Sequence, residues 1–193
     1  MPLDIVILGP PGAGKGTQAR RISAETGLPH VNTGDIIRAE IAAGTPWGLQ
    51  VKSYNDRGVL VPDELIVDRV RERLEDGVTA KGIVLDGFPR TLAQARILDA
   101  MLDEIERGEL SVVLHFQLPQ EMAEQRLLRR AALDRRVDDT PEVIHARLAT
   151  QQVPDELVAY YRAKGILVGI HADGSVDEVF AEVQSVLQTA AAR

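Results

Sequence analysis

The stretch GPPGAGKGT, Gly9 to Thr17, closes the apolar run Leu3 to Leu8 and opens a segment compatible with a helix. Gly9, Gly12, Gly14 and Gly16 permit backbone conformations and close approaches that side chains would block. Successive N–H groups can then point at phosphate oxygens at the start of a helix, with Lys15 adding a mobile positive charge. A strand, a glycine loop and a helix in that order constrain the fold to an open α/β sheet. The pattern also departs from the generic G-x-x-x-x-G-K-[ST], because Gly16 follows Lys15 and the hydroxyl arrives one residue late, at Thr17.

Further short apolar runs at Ile83 to Leu85, Val112 to Phe116 and Ile166 to Ile170 read as buried strands. Between them lie segments with helical spacing, such as Ile66, Val70 and Leu74, or Leu92, Ala95, Leu98 and Leu102. The alternation predicts a doubly wound parallel sheet with helices on both faces. Aromatic residues make up only 4% of the 193-residue chain, so its core rests on Val, Ile, Leu and Ala, as in parallel sheets covered by helices. Ser175 with Glu178 forms a capping box ahead of a C-terminal amphipathic helix. Two regions interrupt the alternation: Val31 to Val61, with breaks at Gly44-Thr45-Pro46 and Gly58, and the charge-dense LLRRAALDRRVDDTPE, Leu127 to Glu142. Such excursions project over the carboxyl ends of the strands.

The formal net charge of −7 argues against general affinity for nucleic acid or anionic membranes. A polyanionic ligand would have to meet a local cluster of Arg and Lys. Arg126 and Arg130 lie four apart on one helix face, Arg129 is adjacent, Arg135 and Arg136 follow, and Arg147 lies on the next helix. Asp134, Asp138 and Asp139 are interleaved, so any one arginine also reads as part of a solvated, salt-bridged face. As a group they read as a lid that closes on phosphates. The chain has no cysteine, which excludes disulfides and thiolate metal sites and fits a cytoplasmic setting. No signal peptide and no membrane span is predicted. His30 and His115 fall at strand positions, and His145 and His171 show no metal-ligand spacing.

Asp86, at the end of KGIVLD, reads either as the acid that orients magnesium or its waters, or as a cap on the next turn. Gly87 comes after it, where water-activating ATPases place a glutamate, so transfer to an acceptor is favoured over hydrolysis. Arg90 is a candidate clamp on that acceptor. In VNTGDIIR, Thr33 reads as a helix N-cap and Arg38 as a helix residue.

Together GPPGAGKGTQ, TGDIIR, GVLVPDE, LDGFPRT, RRVDD and GSVDEVF resemble, in order and over nearly the whole chain, the nucleoside monophosphate kinases, and most closely the adenylate kinase family. The resemblance implies a five-stranded phosphate-loop core (1–31, 62–128, 140–193) with an NMP-binding insertion (32–61) and a short lid (129–139). It implies reversible phosphoryl transfer from MgATP to AMP, giving two ADP, by alignment and charge stabilisation without a covalent intermediate. Gly12, Ala13, Gly14, Lys15, Gly16, Thr17, Arg126, Arg130 and Gly174 are thereby assigned to ATP. Thr33, Arg38, Val59, Leu60, Val61, Gly87, Phe88, Pro89, Arg90, Gln94, Arg136 and Arg147 are assigned to AMP. The catalytic cations are Lys15, Arg90, Arg126, Arg136 and Arg147, and Mg²⁺ is held mainly through phosphates and water, with Thr17 and Asp86 as candidate contacts.

Thr33 and Thr91 match the AMP-specific pattern, whereas relatives acting on UMP or CMP carry alanine and asparagine there. Ten residues separate Arg129 from Thr140, which matches a short lid without zinc. The segment Ala149 to Tyr161 is one residue shorter than the family spacing and lacks its customary tyrosine and threonine; a deletion inside a helix would rotate the downstream face by about 100°. A monomer is expected. Besides a UMP/CMP kinase, the competing class is a phosphate-loop switch or assembly ATPase, against which stand the missing N-K-x-D motif and the missing glutamate after Asp86.

Overall fold

Strand β1 (Leu3–Leu8) sends Ile5 and Ile7 to one face and Val6 and Leu8 to the other, and all four are buried. A strand apolar on both sides has to lie inside a sheet covered twice. The computed structural model describes residues 2–76, 79–134 and 140–191. After β1 come α1 (Lys15–Thr26), β2 (His30–Asn32), α2 (Thr33–Ala43), α3 (Pro46–Arg57), α4 (Asp63–Glu75), β3 (Gly82–Asp86), α5 (Leu92–Glu104) and β4 (Val112–Gln117). The chain continues through α6 (Gln120–Asp134), α7 (Pro141–Thr150), α8 (Asp155–Ala163), β5 (Leu167–His171) and α9 (Val176–Ala191).

The five strands are parallel and ordered β2-β3-β1-β4-β5. The sheet expected from the sequence and the family resemblance is therefore present, with β2 only three residues long. On one face Ile5, Ile7, Val84 and Leu114 pack against Ile22 of α1 and Val183 of α9. On the other Val6, Leu8, Ile83 and Leu85 pack against Val70 of α4, Leu98 of α5 and Leu157 of α8. A smaller apolar seam of Ala123, Leu127, Ile144 and Leu148 joins α6 to α7, so these helices pair through their own core.

From β1 the chain crosses to β2 on one side, and from β3 it crosses to β4 on the other. Neighbours whose outgoing connections diverge leave a crevice at their carboxyl ends, the place where open α/β sheets bind ligands. Register levels those ends: Ile7 is paired with Asp86 and with Leu114, and Asn32 with Asp86. The loops after β1 and β3 therefore face each other.

Helices α2 and α3 fall within the predicted helix-rich stretch and meet at the turn Gly44-Thr45, where Thr45 caps α3. The Ser175–Glu178 capping box is formed: Ser175 N–H donates to Glu178 Oε2 (2.8 Å) and Glu178 N–H to Ser175 Oγ (3.3 Å). Two expectations need correction. The N-cap of α2 is Asn32, whose side chain accepts from Asp35 N–H (2.9 Å), while Thr33 is already helical. The segment from Ala149 to Tyr161 is not one helix: α7 ends at Thr150 and α8 starts at Asp155, with a four-residue loop, 151–154, between them. Among the described residues no helix is long and apolar enough to cross a membrane.

At the opposite, amino-terminal end of the strands, Arg107 donates to both carboxylate oxygens of Asp4 and to Thr79 Oγ1. The two charged side chains are 7% and 1% exposed, so each depends on the other for its hydrogen bonds. Replacing Arg107 with methionine is expected to lower unfolding free energy by about 3–5 kcal/mol, as for removal of one member of a buried ion pair. Urea denaturation with and without ATP measures this, and nucleotide affinity of the folded protein is expected to stay the same.

Candidate active site

The glycine loop leads into α1 without a conventional cap. Gly14, at φ +82°, occupies the N-cap position with no side-chain hydrogen bond, and the first turn of α1 has no acidic residue. The free N–H groups and the positive end of the helix dipole are thus left for an anion. Lys15 folds back over the loop, donating from Nζ to the carbonyls of Gly9 and Pro10, both at 2.8 Å. Burial, reinforced by Arg90 and Arg130 and opposed by Asp86, pulls its ammonium down to about 8.

Asp86 ends β3 beneath this lysine. Asn32 Nδ2 donates to its Oδ2 (2.5 Å), and His30 Nε2 lies 3.6 Å from the same oxygen. Burial alone would raise the Asp86 carboxyl, but His30, Lys15 and Arg90 together outweigh burial and hold it below the ordinary range. Asp86 is therefore an ionised group aimed at the loop; the cap of the next helix, α5, is Thr91, which accepts from Gln94 N–H (3.1 Å).

A cavity of about 710 Å³ opens over these strand ends. Its lining carries Lys15, Arg20, Arg38, Arg90, Arg126, Arg130 and Arg147 against Asp35 and Asp86, so an acidic protein presents a strongly positive cleft. The arginines come from α1, α2, α6, α7 and the loop after β3. Arg126 fixes one wall, donating from Nη1 to Ala172 O (2.7 Å) and from Nη2 to Asp173 O (3.3 Å) and Gly174 O (3.4 Å). Arg90 is fixed on the other side: its backbone N–H donates to Gln94 Oε1 (2.6 Å) and its Nε to Gly87 O (3.0 Å). Burial lowers the Arg90 guanidinium, Asp86 raises it and Arg147 lowers it further; the group remains a cation at neutral pH.

Gly12 through Thr17, Thr33, Arg38, Val59 through Val61, Asp86, Gly87, Arg90, Gln94, Arg126, Arg130, Arg147 and Gly174 all line this cavity. The expected site residues thus gather from the whole length of the chain. Two do not reach it. Phe88 is 1% exposed and joins the core beside Leu85, because an aromatic ring next to a buried strand gains more from packing than from a polar cleft. Pro89 faces a separate small pocket instead. Arg136, with Arg135, lies outside the described residues.

Sequence reasoning misses several contributors. Asn32 and His30 position Asp86, and Asn32 is detectable in principle, since asparagine ahead of a helical run is as good a cap as threonine. Gln18 reaches from α1 to Val176 O (2.9 Å), and Ile37 and Ile66 widen the apolar patch of Val59 to Val61. Gln151, which holds Arg90, carries no local signal, and Asp63, which holds Gln94, lies within GVLVPDE but is not singled out there.

A glycine loop on a doubly wound sheet, an ionised strand-end acid and a ring of arginines define a phosphoryl-transfer protein of the phosphate-loop class. The adenylate kinase family model matches residues 7–166. The chain is 46% identical to an adenylate kinase of Thermus thermophilus over 95% of its length and 96% of the relative's. It is 43% identical to one of Thermobifida fusca over 98% and 100%. With an adenylate kinase of Thermodesulfovibrio yellowstonii the identity is 39% over 214 aligned positions, more than the 193 residues here, so that relative carries residues this chain lacks. The chain belongs to the adenylate kinase family and is a nucleoside monophosphate kinase, a phosphotransferase.

The geometry has two measurable outcomes. Phosphate oxygens favour the protonated Lys15, so ATP affinity is expected to be level below pH 8 and to fall, by up to about tenfold per unit, as pH rises above it. Calorimetric titration between pH 6.5 and 9.5 measures this, with proton uptake on binding at the alkaline end. At Gly87, φ is +89° and a Cβ would stand 2.4 Å from Thr33 Oγ1. Because the family resemblance assigns Thr33 and Gly87 to AMP, Gly87→Ala is expected to displace Thr33 and weaken AMP binding at least tenfold while changing ATP affinity little, as initial rates at varied AMP and ATP would show.

Proposed function

We propose that this protein transfers the terminal phosphoryl group of MgATP to AMP, reversibly, giving two ADP, and that it works as a monomer in the cytoplasm. The observation that carries the reading is the convergence of cations from two sides on the buried Asp86 end of β3, with no acid positioned to activate water after it. A site that shields two polyphosphates from water and neutralises them favours exchange between nucleotides over hydrolysis.

On the donor side the loop Gly12 to Thr17 takes the ATP phosphates, Lys15 leaves the carbonyls of Gly9 and Pro10 to meet the transferred group, and Arg126 steadies the Ala172–Gly174 turn beside the donor base. On the acceptor side Arg38 and Arg90 take the AMP phosphate. Thr33, the apolar strap Val59 to Val61 and Gln94 take the nucleoside. Gln94, 2% exposed, donates from Nε2 to Asp63 Oδ1 (2.7 Å), which fixes its orientation. Arg130, Arg147 and Arg136 balance the charge that spreads over the phosphoryl oxygens in transit. The core of 1–31, 62–128 and 140–193 carries an acceptor-binding insertion at 32–61 and a short lid at 129–139 that excludes water on closing.

The residues fit Mg²⁺. Its hard-oxygen preference is matched by the ionised Asp86 carboxylate and the Thr17 hydroxyl, and among the described residues no group of three or more His, Cys, Asp or Glu forms a cage. Mg²⁺ would therefore be held mainly by phosphates and water, where it screens charge between donor and acceptor. Asp86 orients that hydration.

A panel of AMP, CMP, UMP and GMP with MgATP tests the reading. AMP-dependent formation of two ADP per AMP is expected; faster turnover of CMP or UMP, or ATP hydrolysis without a phosphorylated acceptor, would overturn it. Arg90→Ala is expected to slow turnover about 100-fold or more while leaving ATP affinity within a few-fold.

A further inference from the structure

Arg90 carries a second restraint that reaches outside the site's own loops. Its Nη1 donates to Gln151 Oε1 (3.0 Å), and Gln151 Nε2 donates to Gly58 O (2.8 Å). Gln151 comes directly after α7, and its own N–H donates to Arg147 O (2.8 Å). Gly58 ends α3 and begins the strap to Val61. Gly58 itself is closely packed: its φ is +69°, and a Cβ there would stand 2.8 Å from Val143 O and 3.2 Å from Arg147 Cγ. One carboxamide thus bridges the guanidinium after β3 and the carboxyl-terminal cap of α3.

We propose that Gln151 is a positioning residue for phosphoryl transfer: it orients Arg90 toward the acceptor phosphate and ties that orientation to the Gly58 carbonyl at the start of the strap to Val61. The proposal rests on the reading of Arg90 as the acceptor clamp. An amide is the group the place requires, since one end must accept from a cation and the other must donate to a carbonyl. A carboxylate would satisfy Arg90 but turn a second bare oxygen toward Gly58 O. An apolar side chain would leave the half-buried Arg90 guanidinium without this partner at Nη1. Gln151 also forms part of the wall between the main cavity and a smaller one of about 20 Å³ lined by Gly9, Lys15, Pro89 and Leu157.

The test uses Gln151→Met, which keeps length and volume, alone and in an Arg90→Lys background, with KM for AMP, kcat, ATP affinity and thermal midpoint as readouts. Gln151→Met alone is expected to raise KM for AMP and lower kcat, about tenfold in kcat/KM or more, with ATP affinity within about twofold. In the Arg90→Lys background the same change is expected to add less than about twofold, because the interaction it removes is already gone. Equal losses in both backgrounds, or a lower thermal midpoint with unaltered kinetics, would make Gln151 merely structural and overturn the proposal. Arg90→Lys alone with normal kinetics would instead remove the clamp reading itself. Should the methionine variant fold poorly, Gln151→Glu is expected to raise KM for AMP by withdrawing Arg90 charge from the acceptor; an unaltered KM would overturn the proposal.

Discussion

The site depends on one buried negative charge. Asp86 is 3% exposed, and burial opposes its charge, yet it stays ionised because His30, Lys15 and Arg90 surround it, while Asn32 donates to the same carboxylate. Seven basic side chains around one cavity repel each other, and the lowered Lys15 and Arg90 ammonium and guanidinium register that repulsion along with their burial. Asp86 offsets enough of it for the cations to stand ready in the free protein. Nucleotide phosphates complete the neutralisation, so affinity for polyphosphate is built into an otherwise acidic molecule.

Topology places that charge where it acts. Register between β1, β2 and β3 brings Ile7, Asn32 and Asp86 level, and the divergence of the crossovers after β1 and β3 opens the crevice above them. Thr33 then lies against Gly87, and Arg90 lies within reach of α7 and the loop after it. Two of the arginines are tied to distant parts of the chain: Arg126 to the turn after β5, and Arg90, besides Gly87 in its own loop, to Gln151. Preorganised cations need little rearrangement as charge shifts from donor to acceptor, which is how such a site accelerates transfer.

How much of the molecule is legible in its sequence depends on how local each feature is. The glycine loop, the strand-end acid and the paired Arg126 and Arg130 are contiguous or one helical turn apart, so spacing alone identifies them. Alternation of apolar runs and helical spacing defines the sheet and its two helical layers, while the three-residue β2 shows only as a strand position at His30 and not as an apolar run. The helix cap at Asn32 is misplaced by one residue because Thr33 is an equally good capping type. Phe88 and Pro89 share a motif with Arg90, but which way a side chain turns from a strand end is decided by the core, as Phe88 shows. Gln151 and Asp63 act across 61 and 31 residues on their partners, through contacts that only the folded chain brings about.

The central claim is that two nucleotides exchange a phosphoryl group directly, aligned by these cations, with no phosphorylated enzyme between them. The stereochemistry of transfer from ATP made chiral at its terminal phosphorus measures this most directly. The account predicts inversion of configuration in the ADP formed from AMP; retention would show two successive displacements through a covalent intermediate and contradict it.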